Sequence, residues 1–326
     1  MHIEIITTPT HRLEDAGFGS ARVGSDLLDA LRASQHSVLL SVCASPPDLV
    51  RVARRAPDLV ILATKFLAQG GVEDIWLSEF FACARVNFTG STRAALRFDE
   101  EKISAKKRVA HAGLRTARFF AATPQEFGCE DELPLPFPLF AKPSSAANGK
   151  GVDDHSFLTT FAEFEAKTAS LFDRFGGRPA LVEEYLEGPE YTVSVIDGGP
   201  EGLRAFAVEV VPPRSKPGPR ILSESVKRAN AVQLWAVEST ELRTRLEAFA
   251  CAAFTCLDAR DFARIDIKAN ASGELFFMEA SLVPAMSRPS SYFTRACEVS
   301  DQCSYEEVLQ LIIAAAARRG RHRPEA

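Results

Sequence analysis

Two segments decide how this chain folds: Phe262-Ala263-Arg264-Ile265-Asp266-Ile267-Lys268 and Leu275-Phe276-Phe277-Met278-Glu279-Ala280-Ser281. Both alternate or run apolar in the manner of a β-strand. The residues between them, Asn270-Ala271-Ser272-Gly273-Glu274, are typical of a turn. The pattern therefore predicts a β-hairpin.

One face of this hairpin carries charged side chains. Successive residues of a strand point to opposite faces, so Arg264, Asp266 and Lys268 should form one row. On the second strand we expect Phe277, Glu279 and Ser281 to share a face. Two carboxylates that stand about one strand spacing apart suit Mg²⁺, which takes its other ligands from water and phosphate oxygens. A solvated face with ordinary charges is the alternative.

The composition indicates a protein without a nucleic-acid partner. The 326 residues suffice for two or three domains, and the net charge of −5 is unlike the basic surface that nucleic acids require. The seven cysteines form no C-x-x-C pair, which favours reduced thiols in a cytoplasmic protein. We expect no signal peptide and no membrane span, because the sequence has neither a basic segment before an apolar core nor a long apolar run.

Residues 1–97 alternate between strand-like and helix-like segments. This alternation predicts a small, mostly parallel open α/β domain. The first loop, Thr7–Gly19, is long enough to be functional, and it contains no G-x-G-x-x-G motif. The predicted strands are Ile3–Thr7, Ser37–Val42, Leu59–Ala63 and Val86–Gly90, and the predicted helices are Ser20–Ser34, Asp48–Arg55 and Glu73–Arg85.

A glycine-rich segment follows a predicted strand in the middle of the chain. The strand Leu139–Pro143 leads into Ser144-Ser145-Ala146-Ala147-Asn148-Gly149-Lys150-Gly151-Val152. Backbone N–H groups of such a loop can surround an anion, and Lys150 adds a positive charge. The P-loop pattern is absent, and a glycine-rich hairpin turn explains the segment equally well.

Two segments in the last third of the chain are predicted to be irregular. Pro212–Arg220 is a polar, basic loop between strands, a composition typical of a mobile lid beside a site. The last helix is predicted at Tyr305–Ala317, and the arginine-rich residues after it are predicted to be disordered.

Four motifs, in this order, resemble those of ATP-grasp enzymes and, within that superfamily, the D-alanine–D-alanine ligase family. Phe98–Lys106 is similar to the (D)K-x-x-(S/T)-K helix, and Leu139–Val152 to the strand and loop that cover the phosphates. Leu181–Val195 resembles V-E-(E/K)-(F/W)-(I/L)-x-G-x-E-(F/Y)-T-V. Arg264–Asp266 and Met278–Met286 resemble (R)-(I/V)-D and (L)-E-x-N-T-x-P-G-M. The match extends over nearly the whole chain.

The resemblance implies a three-domain ATP-grasp fold of the α/β class. It has an N-terminal open α/β domain at residues 1–97, a central α+β lid domain at 98–182 and a C-terminal α+β domain at 183–318. Residues 319–326 would form a disordered tail. The resemblance also implies ATP and Mg²⁺ as cofactors and small-molecule carboxylate and amine substrates, and it leaves a homodimer open.

The resemblance assigns many residues to the nucleotide. Lys102 and Lys142 would neutralise the α- and β-phosphates, and Lys227 would reach the γ-phosphate. Glu183 and the main chain of the next three residues would receive the adenine, and Glu190 the ribose hydroxyls. The predicted ATP-binding set is Lys102, Lys142, Ser144, Asn148, Gly149, Lys150, Gly151, Glu183, Glu184, Tyr185, Leu186, Glu190, Lys227 and Met278.

The mechanism that the resemblance implies needs no nucleophilic side chain. A substrate carboxylate attacks the γ-phosphate, and an amine then displaces phosphate from the acyl phosphate through an oxyanion, so catalysis depends on positioning and electrostatics. Arg264 and Lys227 would offset the charge of the transferred group, and the backbone N–H of Ala285 would donate to the oxyanion. The predicted Mg²⁺ ligands are Asp266, Glu279 and Ser281.

The chain departs from the family pattern where the first substrate is recognised. The N-terminal loop lacks the family's Gly-Gly-x-Ser-x-Glu, Asn148 replaces a serine, and Arg228 replaces a tyrosine. Ser281 stands in place of the metal-binding asparagine, and Ala285 in place of a glycine. These changes favour a ligase whose substrates are not two D-alanines, with an amino acid or small intermediate of a specialised pathway preferred.

The substrate residues and two other functions stay open at this point. Arg12, Arg228 and Arg288 could each bind a carboxylate, although each is more simply a surface arginine, and Ser290 is a further candidate. The alternatives are a ligase that closes a ring within one molecule and a non-catalytic ATP-binding regulatory protein.

Overall fold

The N-terminal sheet is parallel, with β1 between β2 and β3. The computed structural model of the chain describes residues 1–9, 21–34, 36–69, 73–146, 149–213, 219–288 and 290–321. Ile5 of β1 is paired with Leu40 and Ile61, and Ile3 and Ile5 lie fully buried under the helices. The elements are β1 His2–Thr7, α1 Ala21–Ala33, β2 Ser37–Val42, α2 Pro46–Arg54, β3 Leu59–Leu62, β4 Phe66–Leu67, β5 Ile75–Trp76, α3 Leu77–Cys83 and α4 Arg93–Glu100.

Two predictions for this region are wrong in detail. The helix predicted at Glu73–Arg85 is limited to Leu77–Cys83, because the residues before it pair as β5 with β4. The strand predicted at Val86–Gly90 contributes a single bridge between Phe88 and Val60. The sequence pattern also missed α4, whose first turn is capped by the Thr92 hydroxyl, so the predicted domain boundary at 97/98 falls inside a helix.

The central sheet is antiparallel in the order β6-β9-β7-β8. Its apolar face packs on α6, where Phe164 and Leu171 are buried. The predicted boundary at 182/183 falls inside β9, which stays paired with its neighbours as far as Glu184. The elements are α5 Lys102–His111, β6 Phe119–Ala122, β7 Leu139–Pro143, β8 Phe157–Leu158, α6 Phe161–Arg174 and β9 Ala180–Glu184, with short 3₁₀ turns at Glu130–Glu132 and Asp154–Ser156.

The C-terminal sheet is antiparallel in the order β12-β11-β10-β13-β14. Val193 of β10 and Ile265 of β13 are fully buried in the same apolar cluster as Leu246 of α8. The elements are β10 Glu190–Asp197, β11 Leu203–Val211, α7 Glu224–Arg228, β12 Gln233–Ala236, α8 Thr240–Cys256, β13 Phe262–Ala269, β14 Leu275–Ser281, α9 Tyr292–Asp301 and α10 Tyr305–Arg321, with a 3₁₀ turn at Gly199–Glu201.

The last helix returns to the N-terminal sheet. Val308 and Ile312 of α10 are buried in one cluster with Ile3 and Leu27, so the C-terminal segment completes the N-terminal core. The helix continues four residues beyond its predicted end at Ala317, and the prediction of a disordered tail is therefore wrong for residues 318–321. The guanidinium groups of Arg318 and Arg319 hold this last turn, since they donate to the carbonyl of Asp197 and the carboxylate of Asp261. The rest of that tail lies outside the described residues. Within the described ranges, no helix combines the length and apolar character that a membrane span requires.

Candidate functional site

A cleft opens between the central and C-terminal sheets. Its volume is about 830 Å³, including the space at its open mouth. Cationic and anionic side chains from both sheets meet there with a few apolar ones. The lining includes Lys102, Phe140, Lys142, Gly149, Lys150, Glu183, Glu184, Tyr185, Leu186, Glu190, Lys227, Asp266, Lys268, Met278 and Glu279.

The predicted hairpin forms one wall of the cleft, and a β-bulge shapes it. Asp266 is paired with Glu279, whereas its neighbour Ile267 is paired with Phe277, so Met278 is the extra residue of the bulge. As a result Met278 and Glu279 both line the cleft, and Phe277 is fully buried in the core. The expectation that Phe277 shares the face of Glu279 is wrong, because the bulge interrupts the alternation between them.

Asp266 is held from two sides. Arg264 donates to both oxygens of Asp266, with distances of 3.0 Å from Nε to Oδ1 and 2.9 Å from Nη2 to Oδ2. The hydroxyl of Thr192, on the neighbouring strand β10, donates to Oδ1 at 2.7 Å. Burial disfavours the charge of Arg264, but Asp266 outweighs this effect and raises the pKa of the guanidinium above its ordinary value. The pair is therefore ionic and fixed in orientation.

Among the described residues, Glu279 has one hydrogen-bond partner, which leaves its second oxygen for another. Its Oε2 accepts from Nζ of Lys102 at 2.7 Å. Burial alone would raise the pKa of Glu279, yet the charges of Lys102, Lys227 and Lys142 hold it well below the ordinary value, so the group is ionised.

The two facing carboxylates fit a magnesium ion. Within the described part of the chain, three hydrogen bonds occupy Asp266 and one occupies Glu279, which leaves lone pairs on both, since a carboxylate offers about four. Mg²⁺ commonly uses one or two carboxylates and completes its shell with phosphate oxygens and water. Within the described residues, no group of three or more acidic, histidine or cysteine side chains could hold a metal by itself. Ser281, the third predicted ligand, is paired with Arg264 and is not part of the cleft lining.

Lys142 belongs to a buried chain of charges. The carboxylate of Glu183 lies between Nζ of Lys142, at 2.7 Å, and Nζ of Lys106. Lys106 also donates to the Thr116 hydroxyl at 2.7 Å and to the Phe277 carbonyl at 3.3 Å. Burial lowers the pKa of Lys106, while Glu183 raises that of Lys142 in spite of burial. The side chain of Glu183 thus orients Lys142, a lysine that is predicted to bind phosphate, and its own contact with the adenine stays a prediction.

No role was predicted for Lys106, although the sequence contained a signal for its burial. Lys102 and Lys106 are four residues apart on α5 and therefore share one face. Lys106 is fully buried and Lys102 is 9% exposed. A helix that buries two lysines on one face must offer them carboxylates, and here Glu279 and Glu183 fill that role.

The glycine-rich loop is tied to α7. The N–H of Gly151 donates to Glu224 at 3.1 Å, and the N–H of Glu224 donates to the Val152 carbonyl at 2.9 Å. A Cβ on Gly149 would come within 3.1 Å of the Lys227 side chain, so the two predicted phosphate-binding elements are in contact. The hydroxyl of Ser144 donates to the Pro179 carbonyl, and its predicted contact with ATP stays a prediction. Asn148 lies outside the described residues.

The other end of the cleft has an apolar floor and a polar rim. Leu186 and Met278 line it, and Tyr185 packs its ring against Phe157 at 4.7 Å between centroids. Glu190 lies on the rim, 3.8 Å from the ammonium group of Lys268. A flat aromatic base would find apolar contacts here and backbone groups at the strand end. The side chain of Glu184 is turned to Arg118, at 2.6 Å, which leaves its main chain for the predicted adenine contact.

Three predicted substrate residues lie away from the cleft lining. Arg228 is 77% exposed and pairs with Glu224 at 2.9 Å, and Arg288 pairs with Glu306. The Ser290 hydroxyl bonds to that of Ser287. Each of these groups has an intramolecular partner at the surface. Their role in substrate binding stays a prediction. Arg12 lies outside the described residues.

The backbone of Ala285 has a conformation that alanine tolerates. It is not among the residues with positive φ, so the replacement of glycine by alanine causes no strain there. Its carbonyl accepts from the Ser291 hydroxyl. The role of its N–H at an oxyanion stays a prediction.

The comparisons with known proteins agree with this geometry. The sequence profile of the family described as "D-ala D-ala ligase C-terminus" matches residues 109–314. The D-alanine–D-alanine ligase of Ectopseudomonas mendocina is 28% identical over 278 residues, which cover 82% of this chain and 80% of that protein. An uncharacterised protein, y4sG, of Sinorhizobium fredii is 25% identical over 314 residues, 91% of this chain and 88% of that protein.

The fold is likewise similar to that of solved structures. The D-alanine–D-alanine ligase of Bacillus anthracis, complexed with ATP, superimposes with a TM-score of 0.74 at 19% identity, covering 98% of both chains. A second structure of the same enzyme gives a TM-score of 0.72 at 20% identity. With a family profile that matches well over half of its length, and with the fold described above, the chain belongs to the D-alanine–D-alanine ligase-like family of ATP-grasp proteins.

Proposed function

We propose that this chain is an ATP-dependent ligase that joins a carboxylate to an amine and releases ADP and phosphate. One observation carries the proposal: a single cleft collects three lysines, Lys102, Lys142 and Lys227, together with the facing carboxylates Asp266 and Glu279. Clustered buried charges are costly unless they serve a ligand. A triphosphate with a bound divalent cation is a ligand that needs both signs of charge.

The lysines of the cleft are arranged for different tasks. Lys142 and Lys102 are fixed by Glu183 and Glu279, which makes them rigid positive groups for the phosphates. Lys227 makes no ion pair with any residue in the described part of the chain, and it stands on the short helix that contacts the glycine-rich loop. It is therefore available to the terminal phosphate. Such preorganised charge lowers a barrier without reorganisation during the reaction.

Asp266 and Glu279 would hold Mg²⁺, which when bound would neutralise part of the phosphate charge and orient the oxygens that it contacts. The orientation of Asp266 by Arg264 and Thr192 makes its free lone pair point in a constant direction. Arg264 does not line the cleft itself, but through its contact with both oxygens of Asp266 it would offset negative charge on the transferred phosphoryl group.

The proposed reaction forms an amide bond in two steps. A carboxylate oxygen of the acid attacks the γ-phosphorus and ADP leaves, which produces an acyl phosphate. The amine nitrogen then attacks the acyl carbon, loses a proton and expels phosphate. The charges that build up are anionic in both steps, so the same cationic side chains serve each of them.

We propose that the substrates are not two D-alanines. The support comes from the sequence, where Arg228, Asn148 and the N-terminal loop all differ from the family pattern. An amino acid or a small intermediate of a specialised pathway is the preferred acid. Closure of a ring within one molecule uses the same chemistry and is the second form of the proposal.

The test is an assay of ADP release with a panel of acids and amines that includes D-alanine. The wild-type protein is compared with the variants Glu279→Gln and Glu187→Gln, the latter an exposed control that lies outside the cleft lining. We expect Glu279→Gln to bind ATP but to lose turnover by about 100-fold or more, and Glu187→Gln to match the wild type. Absence of magnesium-dependent ATP affinity would contradict the whole proposal.

Two other outcomes discriminate between the alternatives. Ligation of D-alanine to itself at the efficiency of an ordinary D-alanine–D-alanine ligase would reject the changed substrate. Tight ATP binding without ADP release for every acid and amine, under conditions in which a known ligase turns over, would favour the regulatory protein.

A further inference from the structure

A carboxylate outside the cleft holds the segment that follows β14. The strand ends at Ser281, and the next two backbone N–H groups, those of Leu282 and Val283, both donate to Oδ2 of Asp99, at 3.0 and 3.2 Å. Asp99 belongs to α4, more than 180 residues earlier in the chain. Leu282 is fully buried, so its N–H has no access to water and depends on this acceptor.

Asp99 is itself held by the N-terminal domain. Nζ of Lys65 lies 3.3 Å from the same oxygen, and the two side chains are only 4% and 7% exposed. Lys65 lies three residues after the last residue of β3, Leu62, at the carboxyl end of the parallel sheet. Its second carboxylate neighbour, Glu100, is farther away at 3.8 Å and is 38% exposed. One buried oxygen therefore receives a cation from one domain and two amides from another.

The segment 282–286 is also held at its far end. The Ser291 hydroxyl donates to the Ala285 carbonyl, and the Tyr305 hydroxyl donates to the Met286 carbonyl at 3.1 Å. At the near end, Asp99 accepts a hydrogen bond from the N–H of Leu282, which lies three residues after Glu279. The contacts at both ends define the path from the metal-binding carboxylate to the backbone N–H of Ala285.

We propose that Asp99 is a positioning residue, held in place by Lys65, which sets the position of the Ala285 N–H relative to Glu279. The inference rests on the proposed function, in which that N–H donates to the oxyanion. The hydrogen bonds that the two backbone N–H groups donate to the Asp99 carboxylate are charge-assisted and about twice as strong as neutral ones. Displacement of a catalytic donor by about 1 Å can cost on the order of 100-fold in rate.

Paired variants separate the acceptor from the charge. Removing Asp99 alone would leave the ammonium of Lys65 buried without its near partner, which risks misfolding. The test therefore compares Lys65→Met/Asp99→Asn with Lys65→Met/Asp99→Ala. Neither carries an unpaired buried charge, and only the first keeps an oxygen that can accept from the two amides. Glu100→Gln is a further control, because Glu100 neighbours Lys65 but does not bond to the segment.

Two measurements compare the double variants, one of the contact itself and one of the reaction rate. Amide hydrogen exchange of Leu282 and Val283 reports on the contact itself and needs no substrate. We expect exchange at least about 10-fold faster in the alanine variant than in the asparagine variant. In the ADP-release assay we expect kcat to fall by about 10- to 100-fold in the alanine variant, while the Kd for ATP with Mg²⁺ changes by less than about 2-fold.

The failures of the two proposals are distinguishable. If the wild type releases no ADP with any substrate pair, the ligase proposal fails, and exchange at Leu282 and Val283 still decides whether Asp99 holds the segment. Equal exchange in the two double variants would overturn the positioning role. Equal kcat in the two, with unequal exchange, would overturn it as well, since the contact would then be structural only.

Discussion

Replacing Glu183 by glutamine would leave two buried ammonium groups facing a neutral amide. In the native protein the Glu183 side chain is 1% exposed, and its partners Lys106 and Lys142 are 0% and 8% exposed. Removal of one member of a buried ion pair typically costs about 3–5 kcal/mol, because the remaining charge stays buried without compensation. Here one carboxylate serves two cations, so we expect the upper part of that range, about 4–5 kcal/mol.

The matched control is the next residue in the same strand. Glu184 also pairs with a cation, Arg118 at 2.6 Å, but that arginine is 65% exposed. A salt bridge of this kind contributes only about 0–1 kcal/mol. Thermal unfolding should therefore give a Tm about 8–10 °C lower for Glu183→Gln, at about 2 °C per kcal/mol in a chain of this size. The Tm of Glu184→Gln should fall by no more than about 2 °C.

The effect should depend on pH in a defined direction. Burial alone would raise the pKa of Glu183, but Lys106 and Lys142 outweigh it and lower the pKa below its ordinary value of 4.5. The unfolded chain therefore binds this proton more readily, and the stabilisation is complete above about pH 4.5 and is lost as the pH falls toward the folded-state pKa. The difference in Tm between wild type and Glu183→Gln should be largest near neutral pH and should narrow below pH 4.5. Equal Tm shifts for the two variants at pH 7, or a difference that widens in acid, would refute the reasoning.

Two more predictions concern the loop and the thiols. Gly151→Ala should weaken ATP binding and lower the Tm more than Gly273→Ala does. Both glycines have φ near +77°, so the backbone strain of an alanine is the same at the two positions. A Cβ at position 151 would stand 2.7 Å from side-chain atoms, whereas the space at position 273 is open. Equal Tm values and equal ATP affinities for the two alanine variants, both measured by calorimetry, would contradict the packing of the loop. A thiol reagent at pH 8 should label the exposed Cys83 and Cys129 within minutes. Cys43 should react only on unfolding, because burial raises the pKa of its thiol to about 12. Rapid labelling of Cys43, located by mass spectrometry, would contradict this prediction and show that its surroundings open readily.

Much of the site was predictable because it depends on local pattern. The turn between β13 and β14 and the alternation along β13 predicted that Asp266 and Glu279 would face each other, and the register confirms this pairing. Neighbouring residues encode this information, since a strand has a period of two and a turn needs particular residue types. The same local signals located most helices and strands to within a few residues.

The bulge at Met278 was not predictable from alternation. A bulge is defined by how a strand pairs with its partner, and one extra residue on one side leaves no mark in the strand's own pattern. It nevertheless decides that Glu279 and Met278 both reach the cleft while Phe277 is buried.

The ion pairs of Glu183 and Asp99 were decided by tertiary structure. In the sequence Glu183 is a charge on a strand, which the resemblance assigns to the adenine, and Asp99 is an acid with no assigned role. Each became important because burial removed water from it, and because partners far away in the chain, Lys106 for one and Lys65 for the other, came within reach. The sequence by itself determined which segments fold and which carboxylates face each other, because these follow from neighbours in the chain. Which charges meet in the absence of water depends on how distant segments pack, and only the folded chain decides that.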